Sequence, residues 1–579
     1  MEKSEIVAVL EEIAVLLDLK GENPFKIRAY SAGARLLEDL EDDLGKLIAE
    51  DRLGEVKGLG KALVEKITEL HETGRLEYYE KLKASVPPGL LRMLEISGFG
   101  PKKVKKVYEA LGVDSIESLR AACEAGKVSE LPGFGAKTET NLLRAIENLE
   151  KYNRRHLWWD VRAVALPILD GLRELGAVER AEVAGSFRRN LETVGDLDFI
   201  VGADDSGPVM DWFAGLPDVA EVIAKGETKT SVRFSNGMQA DLRVVPPAQF
   251  AFALHHFTGS KDHNVQMRQR ALAQGYSLSE WGLFPKDADE ATRKSRELHS
   301  EEGIFEALGL HFIPPELREG RDELAYAEEN RVPRLIEPGD IRGAFHNHTT
   351  ASDGKDTLED MARAAAALGW EYLGIADHSK ASWQARGLQE DQLREQVARI
   401  REWNTSENPP VHLFAGSEVD ILKDGSLDFP AELLDTLDYV VLSVHVSMTG
   451  MDEKAMTDRI IRALETPLKC RKMLGHVTGR LLLRREGYGV QIPRIIDAAA
   501  GNDVAIELNA HPRRLDLDWR HWRRALEKGV TCVINPDAHS ATGLALLEAG
   551  VRIARKARME PHEVLNTRNL AEVRAWLGL

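Results

Sequence analysis

The chain has 579 residues, more than one hydrophobic core ordinarily supports, so roughly two to four folding units are expected. A hydrophobic share of 43% excludes a disordered or fibrous chain, and three widely separated cysteines (Cys123, Cys470, Cys532) exclude a disulfide framework or a thiolate zinc site. The formal charge of −18 argues against a nucleic-acid partner only on average, because charge acts locally and metal-holding carboxylates inflate the acid count. The opening "MEKSEIVAVLEEIAVLLDLK" alternates acids with aliphatics at helical spacing, unlike a signal peptide, and no apolar run reaches the length of a membrane span. A soluble cytoplasmic protein is expected.

Short helices joined by glycine turns are predicted over residues 1–150, and one pattern recurs: "EVKGLGKALVEKI" at 55–67, "EISGFGPKKVKKV" at 95–107 and "ELPGFGAKTETNLL" at 130–143. The paired glycines (Gly58 and Gly60, Gly98 and Gly100, Gly133 and Gly135) permit a tight turn and open backbone amides at a helix start. There a phosphate oxygen is held by N–H groups and the helix dipole. Such a loop grips the DNA backbone without reading bases, and Lys102 and Lys103 add charge at the second copy, so affinity is expected to fall with salt. The repeat resembles the helix-hairpin-helix motif of DNA-binding proteins. Lys66, on the helix after the first glycine turn, is positioned to form a Schiff base with the opened sugar of an abasic site if burial or nearby cations lower its pKa. The simpler reading of Lys66 is a solvated helix lysine.

In "VERAEVAGSFRRNLETVGDLDFIVGA" at 178–203, strand alternation places Asp196 and Asp198 on one face. Two carboxylates pointing together repel unless cations lie between them, as in a two-Mg²⁺ phosphoryl-transfer site, and "MQADLRVVP" at 238–246 supplies a third, Asp241. Upstream, Gly185 and Ser186 with Arg188 and Arg189 offer a tight turn, a hydroxyl and guanidinium forks for a triphosphate.

The order of these parts along residues 1–316 resembles a family X DNA polymerase of the polymerase beta type. The resemblance divides the chain into a lyase-like helical domain at 1–80, fingers with two hairpins at 81–150, a nucleotidyltransferase palm at 151–247 and a thumb at 248–316. The thumb match is "HHFTGSKDHNVQMRQRALAQGYSLSEWGLF" at 255–284. It implies that Ser186 and Arg189 bind the triphosphate, that Phe257 and Gly259 line the sugar, and that Asn264 and Arg268 contact the incoming base and the template side. It also implies Mg²⁺ or Mn²⁺ on the three aspartates and sets Lys66 at the family's Schiff-base lysine. The departures are His256 for a tyrosine beside the sugar, Ser279 for an asparagine, Gln239 for an arginine near the third aspartate, and Ala62 and Tyr78 for lysines of the lyase site. They bear on ribonucleotide exclusion and on lyase chemistry.

Residues 317–340, where an acidic stretch leads into "RVPRLIEPGDIRG" at 331–343, read as a domain linker, with packing on either neighbour equally open. From 341 to 579, short apolar strands alternate with alanine- and leucine-rich helices, which predicts a parallel-strand barrel with its chemistry at the C-terminal strand ends. His346, His348, Asp353, His378, Glu418, His445, His476, Asp537 and His539 fall at or near such ends, and imidazoles and carboxylates without thiolates suit Zn²⁺, Mn²⁺ or Fe²⁺. The segments "FHNHTTASDG", "ADHS", "GSEVDI", "SVH", "GHVTGR" and "NPDAHS" resemble the PHP domain. That resemblance implies a distorted TIM-like barrel holding up to three divalent metals and hydrolysing phosphoesters. Arg513 and Arg514 are plausible clamps for a DNA phosphate, and His511 is a further polar group near the metals without an assigned ligand role.

The expected fold is therefore multidomain: an α-helical helix-hairpin-helix region, an α+β palm with thumb, and a C-terminal α/β barrel. The expected function is DNA-directed DNA polymerisation that fills short gaps in base excision repair. A second site would give 3′–5′ exonuclease, 3′-phosphoesterase or AP-endonuclease activity. Gapped or primer-template DNA and dNTPs are the expected partners of a cytoplasmic, nucleoid-associated monomer. Two alternatives are a non-catalytic PHP scaffold and a template-independent nucleotidyltransferase; the complete ligand set argues against the first, and the three hairpins with "FTGS" against the second.

Overall fold

A computed structural model describes residues 1, 3–38, 40, 44–56, 58–94, 96, 99–152, 155–287 and 294–579. The chain divides into two compact units, Met1–Asn153 and Arg154–Leu579. The described part of the first unit is helical, and one hydrophobic cluster runs from Ile6 to Ile146, so the lyase-like and fingers segments bury their side chains in a common core. Helices α1 (Lys61–Thr73), α2 (Pro101–Leu111) and α3 (Ala136–Tyr152) each follow one of the glycine turns. In α1, Leu63, Ile67 and Leu70 recur at helical spacing and are buried.

The second unit contains a five-stranded palm sheet: β1 (Arg180–Val183), β2 (Asp196–Gly202), β3 (Val219–Lys225), β4 (Lys229–Phe234) and β5 (Gln239–Val245), in the order β1-β2-β5-β4-β3. Strands β2 and β5 run parallel with Asp198 opposite Asp241. Because side chains alternate, Leu197, Phe199 and Val201 enter the hydrophobic core with Ala240, Leu242 and Val244, leaving the aspartates on the opposite face. The thumb follows with α4 (Phe250–Thr258) and α5 (Lys261–Ala273).

The segment 317–340 is not a free linker. Leu317, Tyr326, Ala327 and Leu335 complete the thumb core, and Ile336 belongs to the barrel core. Apolar residues set among charges at these positions bury their side chains while the charges face outward or pair, and Arg318, fully buried, donates to the Ile313 carbonyl at 2.9 Å and pairs with Glu301.

In the barrel, β6 (Gly343–Ala344), β7 (Tyr372–Ile375) and β8 (His412–Ala415) form one parallel sheet. A second is formed by β9 (Glu418–Asp420), β10 (Tyr439–Ser443), β11 (Arg471–Leu474), β12 (Ala505–Asn509) and β13 (Cys532–Asn535). A parallel bridge from His378 to Glu418 joins the sheets, and one from Asn347 to Ala538 closes the ring. With β8 and β9 as two pieces of one bent strand, the ring has seven positions, one fewer than a TIM barrel. Phe345, Tyr372, Phe414, Tyr439, Met473 and Val533 fill its interior, whereas Leu373, Leu413, Leu442, Ile506 and Ile534 face the surrounding helices. Every strand is thus buried on both faces, as its near-continuous apolar sequence requires.

Candidate active sites

The glycine turns of the first unit have the local geometry that exposes helix-start amides. Gly58 and Gly133 have φ of +104° and +83°, and a Cβ at Gly58 would lie 2.8 Å from Leu36 Cδ1. Gly60 and Gly100 are the N-caps of α1 and α2, and the Gly135 carbonyl accepts from the Glu139 amide at the start of α3. A glycine cap brings no side-chain acceptor to the first amides of its helix, which leaves them available to a phosphate. Lys102 and Lys103 are exposed on the first turn of α2. Gly98 lies outside the described residues. The Lys66 Nζ donates to the Ala62 carbonyl at 3.2 Å and lies 5.2 Å from the centre of the Tyr78 ring, which Lys26 approaches to 5.7 Å and Tyr30 stacks upon. Lys26 is thus a cation near Lys66 that sequence reasoning missed, since the two are forty positions apart in the chain.

In the palm, β2 carries Asp196 exposed and Asp198 mostly buried, and β5 brings Asp241 alongside. Burial, then the neighbouring carboxylates of Asp196 and Asp241, push the Asp198 carboxyl up to about 7. Burial also acts to raise Asp241, but hydrogen bonds from Lys229 and Ser231 outweigh it and hold Asp241 below its ordinary value. The Lys229 ammonium, 2.5 Å from Asp241, is a further group that sequence reasoning missed, because it arrives from β4 by sheet pairing alone. Mutual repulsion relieved by a cation is the electrostatic signature of a metal site, so the donor set fits divalent ions. Gly185 has φ +60°, and a Cβ there would lie 2.5 Å from Asp198 Oδ2, so this turn approaches the carboxylate as only glycine permits.

Ser186 follows Gly185 on the same turn, and Arg189 is largely buried, donating to Glu319 at 3.1 Å and to the Thr258 carbonyl at 2.5 Å. Arg188 is likewise held by Thr258 and Glu301. At the thumb boundary Gly259 has φ +70°, Phe257 lies under the Arg243 guanidinium at 4.4 Å, Asn264 donates to the His256 carbonyl at 2.7 Å, and Arg268 is exposed. His256 is half-buried, with Nδ1 3.8 Å from Glu280.

The barrel gathers its nine expected groups at the C-terminal mouth. Three overlapping sets have ligand atoms within 4.8 Å of one another: His348, Asp353, His378 and His539; His346, His348 and Glu418; and His378, Glu418 and His445. His476 Nε2 lies 2.9 Å from Glu418, and Asp537 Oδ1 lies 3.2 Å from His348 Nε2. The sets overlap at His348, His378 and Glu418, so the sites they outline adjoin one another; a neutral imidazole would serve one cation, whereas the two oxygens of Glu418 could serve two. Burial and the imidazoles of His539 and His378 lower His348 to about 4, so its lone pair is free at neutral pH. Burial opposes ionisation of Glu418, but His445, His346 and His378 hold it well below the usual carboxylate range. His346 Nε2, His348 Nε2 and Glu418 Oε2 are buried without hydrogen-bond partners among the described residues, an arrangement that fits metal ligands.

A supporting layer escaped sequence reasoning. Glu507 Oε2 lies 2.7 Å from His346 Nδ1 and accepts from Asn535, Glu507 Oε1 accepts from Asn509, and Asp420 lies 3.3 Å from His445 Nδ1. Such carboxylates fix the orientation of a ligating imidazole. The available signal was a charge inside an apolar strand, Glu507 between Ile506 and Leu508. The mouth opens into a cavity of about 550 Å³ lined by His378, Glu418, His445, Arg514 and Trp383 among others. Arg514 Nη1 is buried there without a hydrogen-bond partner among the described residues. Arg513 does not line it, and its amide donates to His511 Nδ1 at 3.2 Å; His511 stands outside the three ligand sets among the described residues.

Residues 1–76 match the helix-hairpin-helix domain, 90–148 the SAM-like helix-hairpin-helix tandem, 253–319 the DNA polymerase beta thumb and 344–511 the PHP domain. Over its whole length the chain is 39% identical to the DNA polymerase/3′-5′ exonuclease PolX of Bacillus subtilis (strain 168), covering 99% of that protein. The chain belongs to the X-family DNA polymerases that carry a C-terminal PHP domain. It is also 26% identical to rat DNA polymerase lambda over 46% of this chain and 48% of that one. A probable phosphatase of Acetivibrio thermocellus is 25% identical over 38% of this chain and 89% of its own length. Members with these domains act on DNA and generally use divalent metal ions. Among the described residues no helix is long and apolar enough to cross a membrane.

Proposed function

We propose that the chain is a DNA-directed DNA polymerase that fills short gaps during repair, and that its PHP barrel shortens DNA as a 3′–5′ exonuclease. The observation that carries this reading is the coexistence, in a chain related end to end to a polymerase/exonuclease, of a carboxylate cluster on the palm and a complete imidazole–carboxylate set at the barrel mouth. Asp196, Asp198 and Asp241 would hold Mg²⁺ or Mn²⁺. The nine barrel residues would hold up to three divalent ions, with Mn²⁺ the activating one and Zn²⁺ or iron the alternatives. When bound, such ions offset phosphate charge and make water or a sugar hydroxyl more nucleophilic.

The chain's own residues supply the rest. On the palm, the turn at Gly185 and Ser186 presents amides and a hydroxyl to the triphosphate, with Arg189 exchanging Glu319 for phosphate oxygens. Phe257 and Gly259 line the sugar, and Asn264 and Arg268 face the base pair. Asp241, kept ionised by Lys229, accepts the proton of the primer 3′-hydroxyl as that oxygen bonds to the α-phosphorus and pyrophosphate departs. In the barrel, Arg514 offers its free donor to the scissile phosphate. Water oxygen bonds to phosphorus, the P–O3′ bond breaks, the 3′-oxygen takes a proton, and a nucleoside 5′-monophosphate leaves. The glycine turns with Lys102 and Lys103 hold the duplex backbone, and Lys66 beside Lys26 is the candidate lyase group. Gapped DNA and dNTPs are the substrates, and a monomer in the cytoplasm, on the nucleoid, is the working form.

A 5′-labelled primer in a one-nucleotide-gapped duplex, incubated with Mn²⁺ with and without the complementary dNTP, tests both halves. Extension with dNTP and shortening without it are expected. Asp198→Ala should abolish extension and keep shortening, and His348→Ala the reverse. If either substitution removes both activities from a folded protein, the separation of the sites is wrong.

A further inference from the structure

Trp383 is 75% exposed, yet it lines the same cavity as His378, Glu418 and His445. An indole left in water forgoes one of the largest hydrophobic gains a side chain offers, so its position at a polar, metal-ligating mouth needs a cause. The turn that presents it is tightly held. Ser382, the residue before it, donates to Asp420 Oδ2 at 2.6 Å and lies 3.3 Å from His445 Nδ1. The Ala381 amide donates to Asp428 at 2.7 Å, and the Gly387 amide closes the turn on the Ser382 carbonyl at 3.1 Å. A Cβ at Gly387 would lie 1.9 Å from the Ser379 oxygen, so the return of the chain beneath this turn admits no side chain. Through Ser382 the tryptophan is therefore coupled to the same Asp420 that orients His445.

We propose that Trp383 is a stacking platform for the nucleobase of the terminal nucleotide presented to the barrel, so that this site selects base-bearing ends over abasic ones and over bare phosphates. The proposal rests on the reading of the barrel as an exonuclease and names its substrate class. A flat aromatic face beside a phosphate-handling site matches what a nucleotide offers on its two sides, a phosphate for Arg514 and the ligand cluster and a π-face for the indole. Every base has such a face, so the platform tolerates sequence but not the absence of a base.

The test uses the full-length protein in Mn²⁺ with two 5′-labelled single-stranded oligonucleotides that differ only in the last nucleotide, adenine in one and a tetrahydrofuran abasic residue in the other, both ending in a 3′-hydroxyl. One stacked base is expected to favour the adenine end by about tenfold in kcat/KM. Trp383→Ala should bring the ratio close to one by raising KM for the adenine end while kcat is retained, and Trp383→Phe should restore most of it. Gap extension by the same preparation reports that each variant is folded. A wild-type ratio near one, or a ratio that Trp383→Ala leaves unchanged, overturns the platform while leaving the exonuclease in place. Failure of the wild type to shorten either strand removes the exonuclease reading, and the platform with it.

Discussion

Glu507 illustrates how one residue sets the quality of a site it does not complete. It sits in β12 with no exposed surface, 2.7 Å from His346, and is held by two asparagines. Glu507→Gln keeps the shape and removes the charge, so Mn²⁺ affinity of the barrel should fall by about 10–100-fold, measured by metal titration of the full chain. Unchanged affinity would reduce Glu507 to a packing residue. Asp198 gives a pH prediction with a definite sign. Its carboxyl is raised to about 7 in the metal-free fold, so folding favours the protonated form. That contribution is fully present below about pH 4, the unfolded value, and is lost as pH rises through about 7. In chelator, the melting temperature of the wild type relative to Asp198→Asn should therefore decline from about pH 4 to about pH 8, and saturating Mg²⁺ should flatten the trend. A flat profile in chelator would contradict the raised carboxyl.

Elements position these groups through their periods. Strand alternation was enough to foresee Asp196 and Asp198 on one face, and parallel pairing of β2 with β5 adds Asp241 in register. The glycine turn before β2 fits against that face so closely that Gly185→Ala must displace either the turn or the Asp198 carboxylate. A misplacement of about 1 Å costs about 100-fold in rate, so single-nucleotide extension should fall by that order while barrel cleavage persists. Extension within a few-fold of wild type would show that the turn yields without moving the carboxylate. The repeated glycine turns were legible for a similar reason, since a positive φ at Gly58 and Gly133 is a local demand that leaves a local trace. Lys229 left none. Its approach to Asp241 depends on how β4 pairs, which no local period encodes.

At the scale of the whole molecule, the second unit is more tightly knit than a chain of modules. Lys556 of the barrel has a side chain with no exposed surface and donates to Glu319 at 2.5 Å and to the Arg189 carbonyl at 3.0 Å; Arg555 pairs with Glu316 at 2.6 Å. Burial lowers the Lys556 ammonium and Glu319 opposes the shift. Glu319→Gln leaves that ammonium without its counter-charge, which should cost ~3 kcal/mol and lower the unfolding temperature of this unit by several degrees. No change in a calorimetric scan would mean that the lysine finds water instead. These pairs explain why a stretch of prolines, glycines and acids at 317–340 reads as a tether and yet is folded. The features that mark a linker describe backbone punctuation, while its burial is decided by partners two hundred residues away.

By itself the sequence determined the chemistry on offer: nine side chains able to bind metal, most at predicted strand ends, three aspartates on neighbouring strands, and three glycine turns at helix starts. Each follows from residue type and short-range period, which the chain carries wherever it folds. Only the tertiary structure decided which of these groups share ligand atoms, which carboxylates support them from behind, where Lys229 and Lys26 fall, and that an indole stands beside the barrel's ligands. Those outcomes depend on burial and on approaches between distant segments, and it is the loss of water around a charge, rather than its place in the sequence, that shifts its pKa and commits it to a partner.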